Sequence, residues 1–161
     1  MELSSIRRRN VAELLGWVIL AQLAGVVGSV FTVTAIGSWY DTLVRPWFAP
    51  PNWVFGPVWV TLFTLMGVAA YLVSQSNSPR SRRALIVFGG QLVVNVAWSA
   101  AFFGLESPAL GLVVIVGLLG GILLTIWEFA QVDRRAALLL VPYLAWVAFA
   151  TVLNYGFWSL N

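Results

Sequence analysis

The amino-acid sequence predicts an all-α integral membrane protein, a bundle of five transmembrane helices with a long first loop acting as a lid, in a single domain over residues 1–161. Of the 161 residues, 60% are hydrophobic and 9% are charged. Soluble domains average about 45–50% apolar and about 25% charged residues. A chain this short cannot bury so much apolar surface in its own core, so the excess is expected to face lipid.

Five apolar runs have the length of about 20 residues that a membrane-spanning helix needs. They cover residues 11–35, 54–73, 84–104, 108–129 and 136–158. The first run is longer than the apolar part of a signal peptide and no small-residue cleavage site follows it, so it is predicted to remain as a helix. Five spans place the two termini on opposite sides of the membrane.

The nine arginines are distributed unequally between the two sides that these spans define. Arg45 lies alone on one side, and the N-terminal side holds Arg7, Arg8, Arg9, Arg80, Arg82, Arg83, Arg134 and Arg135. Basic loops remain in the cytoplasm, so the N-terminus is predicted inside and the C-terminus outside. The arginines form short clusters between apolar runs rather than a stripe on a folded surface, so the lipid bilayer is the expected partner and nucleic acid is not.

The connection between the first two spans, residues 36–53, is longer than the others and rich in aromatic residues and proline. It contains Trp39, Tyr40, Trp47, Phe48 and Trp53 together with Pro46, Pro50 and Pro51. Disordered segments are poor in aromatic residues, and proline stiffens the backbone. Two interpretations carry equal weight: a belt of aromatic residues at the membrane interface, and a structured lid over a cavity.

Three predicted helices carry a stripe of polar or aromatic residues at helical spacing. The stripes consist of Phe55, Trp59 and Phe63; of Gln91, Asn95 and Ser99 with Trp98 beside them; and of Trp146, Ala150 and Asn154 flanked by Tyr143 and Tyr155. Each stripe alone is typical of contacts between membrane helices. Three stripes beneath an aromatic loop favour a cavity for a large, flat, mostly apolar ligand.

The remaining candidate residues predict structural roles and no catalysis. The chain has no Cys and no His, which excludes a thiolate or imidazole metal site and a serine triad, so no catalytic residue, no metal and no required cofactor are predicted. Gly117 and Gly121 permit close helix packing, within the chain or in a homodimer. Glu13 and Glu128 are predicted at helix interfaces, and Asp133 is predicted to cap the last helix.

Three motifs give the sequence a family resemblance. They read WYDTLVRPWFAPPNWVFGPVW over residues 39–59, GQLVVNVAWSAAFFG over residues 90–104 and LLVPYLAWVAFATVLNY over residues 139–155. Together they closely resemble the TspO/translocator-protein family, also called tryptophan-rich sensory proteins or peripheral-type benzodiazepine receptors. The resemblance extends over most of the chain, from about Trp17 onward, and the nine tryptophans agree with it.

The resemblance implies a membrane receptor, sensor or transporter-like protein that binds porphyrins of the protoporphyrin IX type and benzodiazepine-type drugs between its helices. Trp59 and Trp146 match the family's pocket tryptophans, and Tyr40, Asn95, Ala150 and Asn154 match further lining positions. With the stripe residues, the predicted ligand contacts are Tyr40, Phe55, Trp59, Phe63, Asn95, Trp98, Trp146, Ala150 and Asn154. The predicted lid residues are Trp39, Trp47, Pro50, Pro51 and Trp53.

One part of the family pattern is missing, and two other functions stay open. Tyr155 is followed by no basic residue, whereas the proposed cholesterol motif of animal members requires one. The departure puts sterol binding in doubt and suits a multi-pass protein of a prokaryotic cell membrane. The alternatives are Trp-dependent porphyrin degradation driven by light and oxygen, and a structural membrane subunit that binds no ligand.

Overall fold

Five helical segments in the computed structural model are long and apolar enough to cross a membrane, as the sequence predicts. They cover Arg8–Ala35, Asn52–Ser74, Ser81–Gly104, Pro108–Ala130 and Arg134–Leu160. The structure describes residues 2–161, with side chains from residue 8 onward, and no strand occurs in this range. The prediction of an all-α membrane protein is therefore confirmed.

The described part of the chain forms seven α-helices, of which the second lies in the first loop and the other six belong to the five segments. These are α1 (Glu2–Ala35), α2 (Trp39–Thr42), α3 (Phe55–Ser74), α4 (Ser81–Ser99), α5 (Pro108–Ala130), α6 (Arg134–Leu139) and α7 (Val141–Leu160). The closest packing joins α4 to α5, α1 to α3, and α5 to α7, while α1 also packs on α4 and α6 lies against α3 and α5. Only 11% of the most apolar part of α1 is buried, against 28–39% in the other spans, so α1 is the most peripheral helix.

The last predicted span is one apolar run but two helices. The run breaks at Leu140, between α6 and α7. Pro142 lies in the first turn of α7, where its missing N–H costs no hydrogen bond, but the same residue could not continue α6. The apolar character of residues 136–158 continues through the proline, so the sequence pattern alone predicts a single helix there.

A widened helical turn ends α4. Residues Ala100–Gly104 form a π-helical turn in which the Leu105 N–H donates to the carbonyl of Ala100 at 2.8 Å. Such turns re-aim side chains within a helix and often lie at functional sites. Here the turn places Phe102 and Phe103 beneath the first loop, against Tyr40.

The charged residues cluster at the end of the bundle where α1 and α4 begin and α5 ends, here called the arginine-rich end. Its described arginines are Arg8, Arg9, Arg80, Arg82, Arg83, Arg134 and Arg135. Asp133 caps α6 as predicted, because its carboxylate accepts from the Arg135 N–H at 2.8 Å. The hydrogen bond from the Arg135 side chain lowers the pKa of Asp133. Arg7 is outside the part of the chain whose side chains are described.

Two acidic residues join helices at this end, as predicted. The Glu13 carboxylate accepts a hydrogen bond from the Gln75 amide, which ties α1 to the end of α3. Glu128 is buried on α5, and its Oε1 lies 2.7 Å from Nε of the exposed Arg83 on α4. The two atoms form an ion pair without a well-directed hydrogen bond, so the attraction between the charges is the main compensation for burying Glu128.

The glycines predicted to permit close packing differ in their surroundings. Gly121 faces α4, where an added Cβ would lie 3.3 Å from the Cβ of Gln91. An added Cβ at Gly117 or Gly120 would meet nothing within 4 Å. The partner of Gly121 therefore belongs to the same chain, and a homodimer through this pair stays a prediction.

Candidate functional site

A cavity of about 390 Å³ lies between α1, α3, α4 and α7, in the half of the bundle away from the arginine-rich end. All nine predicted ligand contacts line it, namely Tyr40, Phe55, Trp59, Phe63, Asn95, Trp98, Trp146, Ala150 and Asn154. The helical spacing of the three stripes brings them to one place, because each stripe faces the bundle interior. Their role as ligand contacts stays a prediction.

Aromatic rings form much of the cavity wall. The ring of Trp59 stacks on Phe63 with centroids 5.5 Å apart, and the rings of Trp59 and Trp98 are 6.4 Å apart. On the facing helix, Trp146 meets the edge of Phe55 at 5.9 Å. Flat π-surfaces on two sides of an apolar space suit a flat, conjugated ligand.

Two polar side chains that line the cavity form hydrogen bonds with other protein groups. The Trp98 Nε1–H donates to Asn154 Oδ1 at 3.1 Å, and the Asn154 amide donates to the carbonyl of Pro108 at 2.8 Å. These bonds fix the Trp98 ring and connect α4, α7 and the start of α5. Gly111 makes room for this arrangement, because a Cβ there would lie 2.9 Å from Asn154 Oδ1.

Trp146 differs from Trp98 because its indole donor is unused. Its Nε1 is buried and has no hydrogen-bond acceptor in the described part of the chain. A buried donor without a partner costs about 1–3 kcal/mol relative to a satisfied one. Because the Trp146 ring lines the cavity, a rotation of this ring would bring the buried donor to an acceptor on a bound molecule.

A buried hydrogen-bond network holds the side chain of Asn95 in place. Its amide donates to the Tyr143 hydroxyl at 2.8 Å, and that hydroxyl donates to Gln91 Oε1 at 2.8 Å. The Gln91 amide meets the sulfur of Met66 at 3.8 Å. A thioether accepts but cannot donate, so Met66 fixes the direction of the whole network. Asn95 is thereby held rigidly at the cavity.

The contribution of α1 to the cavity was not predicted from the sequence. Gln22, Gly25, Ser29 and Thr32 of α1 all line the cavity. They recur every three or four residues, which is the signal that could have identified this face. Gln22 also ties α1 to α3, because its amide donates to the Val60 carbonyl and to the Thr64 hydroxyl, both at 2.9 Å.

The cavity opens sideways between α1 and α3. Val33 of α1 and Val60 of α3 both line it, yet they are 71% and 58% exposed on the outside of the bundle. Side chains that line a cavity and are also exposed mark its opening. The opening lies on an apolar surface, so an apolar ligand could enter from the surrounding lipid.

The first loop is folded, but none of its predicted lid residues lines the cavity. It contains α2 and a 3₁₀ turn over Asn52–Val54, and it contributes Tyr40 and Asn52 to the cavity wall. None of the predicted lid residues Trp39, Trp47, Pro50, Pro51 and Trp53 lines the cavity. Trp47 and Trp53 are 95% and 75% exposed, which favours an interfacial belt for these two side chains. The lid function of the loop stays a prediction.

Two polar side chains hold the loop in place. Arg45 donates to Asn52 Oδ1 and to the carbonyl of Pro50, both at 2.9 Å, and its guanidinium lies 5.4 Å from the Tyr40 ring centroid. The Asn161 amide accepts from the Val44 N–H at 2.8 Å and donates to the Val44 carbonyl at 3.1 Å. Burial raises the pKa of Tyr40, while the charge of Arg45 opposes this shift.

The architecture is that of a polytopic helical membrane protein with an aromatic pocket inside the bundle. In the described part of the chain no group of three His, Cys, Asp or Glu residues could hold a metal ion, so the pocket offers stacking and hydrogen bonds. The family model of the TspO/MBR family matches residues 17–159. The chain belongs to the TspO/MBR family.

Similar proteins come from archaea, bacteria and animals. The tryptophan-rich protein TspO of Archaeoglobus fulgidus is 38% identical over 94% of this chain and 99% of its own length. The tryptophan-rich protein TspO of Chlorobaculum tepidum is 44% identical, over 88% of this chain and 91% of its own. The translocator protein of Homo sapiens is 39% identical over 91% of this chain and 89% of its own length. The resemblance seen in three motifs thus extends along nearly the whole chain.

Proposed function

We propose that this protein is a membrane receptor or sensor that binds porphyrin-type tetrapyrroles, and benzodiazepine-type drugs, in the cavity between α1, α3, α4 and α7. Membership of the TspO/MBR family supports a membrane sensor or receptor. The observation that carries the proposal is the buried, unused Nε1–H of Trp146 at an aromatic cavity. Porphyrin carboxylates and benzodiazepine carbonyls are both acceptors for this donor.

The size and composition of the cavity support the same ligands. Its volume of about 390 Å³ is within the range of about 300–1,000 Å³ that small-molecule pockets occupy. The rings of Trp59 and Phe63 offer a stacking surface, and the sideways opening between α1 and α3 admits molecules that dissolve in lipid. Binding requires no metal or other cofactor in this proposal.

Titration with protoporphyrin IX in detergent tests the proposal. Quenching of tryptophan fluorescence should saturate, and the change in porphyrin absorption then measures affinity in variants that lack a tryptophan. Trp146→Phe loses one hydrogen bond and should weaken binding about 2–10-fold, the equivalent of about 0.5–1.5 kcal/mol. Trp127→Phe is the matched control, because Trp127 lies on α5 and does not line the cavity. Non-saturating quenching, or equal affinity in both variants, contradicts the proposal.

A second function, oxidation of the bound porphyrin under light and oxygen, is favoured by the arrangement of redox-active rings. The Trp59 ring lies 6.4 Å from Trp98 and 6.2 Å from Tyr143. In this step the excited porphyrin gives up an electron to dioxygen, which is reduced to superoxide, and the neighbouring rings can share the resulting cation radical with the oxidised porphyrin. Illumination should then bleach the porphyrin bands more slowly in Trp59→Phe at equal occupancy. Equal bleaching rates would assign the chemistry to the free pigment.

The remaining alternative is a structural membrane subunit that binds no ligand. It predicts no saturable binding of porphyrin and no thermal stabilisation by porphyrin.

A further inference from the structure

We propose that the side-chain oxygen of Gln22, at the sideways opening of the cavity, selects ligands that carry a neutral hydrogen-bond donor, in particular a protonated carboxylic acid. Gln22 is a half-buried residue of α1 that lines the cavity. The inference rests on the proposed function, because it states which porphyrins the same cavity accepts. It assigns to Gln22 a role in ligand specificity.

The partners of the Gln22 amide on α3 fix its orientation. Its Nε2 donates to the Val60 carbonyl and to the Thr64 hydroxyl, both at 2.9 Å. A backbone carbonyl can only accept, so the end of the amide that faces Val60 must be the NH₂ group. The Thr64 hydroxyl donates its own proton to the same carbonyl at 2.8 Å and therefore accepts from Gln22. The nitrogen of the amide is thus engaged by α3, and Oε1 is the end left for another group.

The amide oxygen of Gln22 is both free and accessible. Among the described residues it accepts no hydrogen bond, because Gln22 takes part only as a donor. The side-chain polar atoms that are buried without a partner in the described part of the chain are Glu128 Oε1 and Trp146 Nε1. Gln22 Oε1 is not one of them, so it is not enclosed by protein. A hydrogen-bond acceptor is therefore available at the edge of the cavity.

The position of Gln22 makes this acceptor costly in the absence of a ligand. Gln22 lies in the middle of the span Arg8–Ala35, where the surrounding lipid tails offer no donor. Val26, one helical turn later, lines the cavity and is 58% exposed, so this part of α1 borders the opening toward α3. A polar group in an apolar medium without a hydrogen bond is unfavourable. A ligand that brings a donor to Gln22 Oε1 would remove that penalty.

A protonated carboxyl group is the donor that a ligand arriving from lipid is expected to carry. An ionised carboxylate is far more costly in hydrocarbon than the neutral acid, so such a group takes up a proton on entering the bilayer. The neutral acid has one O–H donor and keeps an acceptor oxygen. Its O–H complements Gln22 Oε1 on α1, and a carbonyl oxygen complements the Nε1–H of Trp146 on α7. The two walls therefore suit a flat apolar molecule with carboxylic acid groups.

Asn95 is the competing acceptor in the cavity. Its amide donates to the Tyr143 hydroxyl, and its Oδ1 accepts no hydrogen bond from a described residue. Asn95 is only 4% exposed, on α4 inside the bundle, whereas Gln22 lies at the opening beside lipid. The unsatisfied acceptor in lipid is the more costly of the two, which favours Gln22 as the partner of the ligand donor.

Protoporphyrin IX and its dimethyl ester form a matched pair of ligands for the test. The ester keeps the macrocycle and both carbonyl acceptors but has no O–H donor. Affinities in detergent follow from the change in porphyrin absorption, and the measured quantity is the ratio of acid affinity to ester affinity. In Gln22→Leu this ratio should fall about 2–10-fold, through the loss of one hydrogen bond. Thr64→Val is the matched control, because it weakens the same tie between α1 and α3, does not line the cavity and should leave the ratio unchanged.

The possible outcomes separate this inference from the proposed function. Saturable binding of both porphyrins, with a ratio that is unchanged or raised in Gln22→Leu, overturns the inference and leaves the proposed function intact. A ratio that falls in Asn95→Leu and not in Gln22→Leu assigns the donor to Asn95 and also overturns it. Non-saturating binding of both porphyrins by the unchanged protein contradicts the proposed function itself. If Gln22→Leu does not fold, Gln22→Met decides, because its side chain is unbranched and its thioether is only a weak acceptor.

Discussion

Tyr143 joins α7 to α4 by two hydrogen bonds inside an apolar core. Its hydroxyl connects the amides of Asn95 and Gln91, and all three side chains are buried. Tyr143→Phe keeps the ring and leaves two buried amides without a partner, which should destabilise the fold by about 1–3 kcal/mol. Thermal unfolding in detergent measures the effect. Tyr155→Phe, at a 54% exposed position of the same helix, should leave the melting temperature unchanged. Equal stability of the two variants would show that the network is not stabilising.

The ion pair between Arg83 and the buried Glu128 is a second interaction of individual residues whose effect on stability can be tested. Arg83→Leu leaves the Glu128 carboxylate buried without a compensating charge, and should destabilise the fold by about 2–3 kcal/mol. The double variant Arg83→Leu/Glu128→Leu removes both charges and should recover most of this loss. Thermal unfolding of the unchanged protein, Arg83→Leu, Glu128→Leu and the double variant forms a double-mutant cycle. A double variant less stable than Arg83→Leu would contradict this account.

At the scale of elements, the contact between α1 and α3 depends on one glycine. A Cβ at Gly67 would lie 2.4 Å from Val18 Cα, in the backbone of α1, so the two helices must move apart to accept any side chain. Gly67→Ala should therefore lower the melting temperature. Gly117→Ala should raise the melting temperature slightly, because an added Cβ there would meet nothing within 4 Å. Alanine is also more favourable than glycine in a helix by about 0.8–1.0 kcal/mol. Stabilisation by Gly67→Ala would contradict the close packing.

The first loop is an element whose order depends on Asn161 as well as on its own residues. Asn161→Ala removes both hydrogen bonds to Val44, and Arg45→Gln removes the guanidinium bonds to Asn52 and Pro50. Hydrogen exchange in residues 43–54 should become faster in both variants, while exchange in α5 stays slow. Ser159→Ala serves as the control, since Ser159 bonds only to its own helix. Unchanged loop exchange would show that other contacts hold the loop.

Sequence reasoning succeeded where a pattern is local and periodic. The five spans follow from apolar length, and the three stripes meet in one cavity because periodicity alone decides which face of a helix is buried. Prediction from the sequence failed at features that depend on neighbouring helices. The α1 face at Gln22 and Gly25 looks like ordinary membrane-helix sequence until α3 is placed against it. The break before Pro142 and the widened turn at Ala100–Gly104 interrupt runs whose apolar character is continuous.

At the scale of the whole molecule, the two halves of the bundle differ in packing. The half near the arginine-rich end is filled by large side chains with 0–1% exposure, among them Met66, Phe88, Ile122 and Phe129. The opposite half contains the cavity, and its polar groups include one donor that no atom of the described residues satisfies. This asymmetry agrees with the proposal of a ligand site in one half of the bundle, with its opening between α1 and α3.

The central claim, that the cavity is the ligand site, is tested most directly by filling it. Ala150 is buried at the cavity, while Ala148, two residues earlier on α7, is exposed. Protoporphyrin IX affinity should fall about tenfold or more in Ala150→Leu, a loss of about 1.4 kcal/mol, and should stay unchanged in Ala148→Leu. Equal, saturable binding by both variants would place the ligand elsewhere on the protein and contradict the claim.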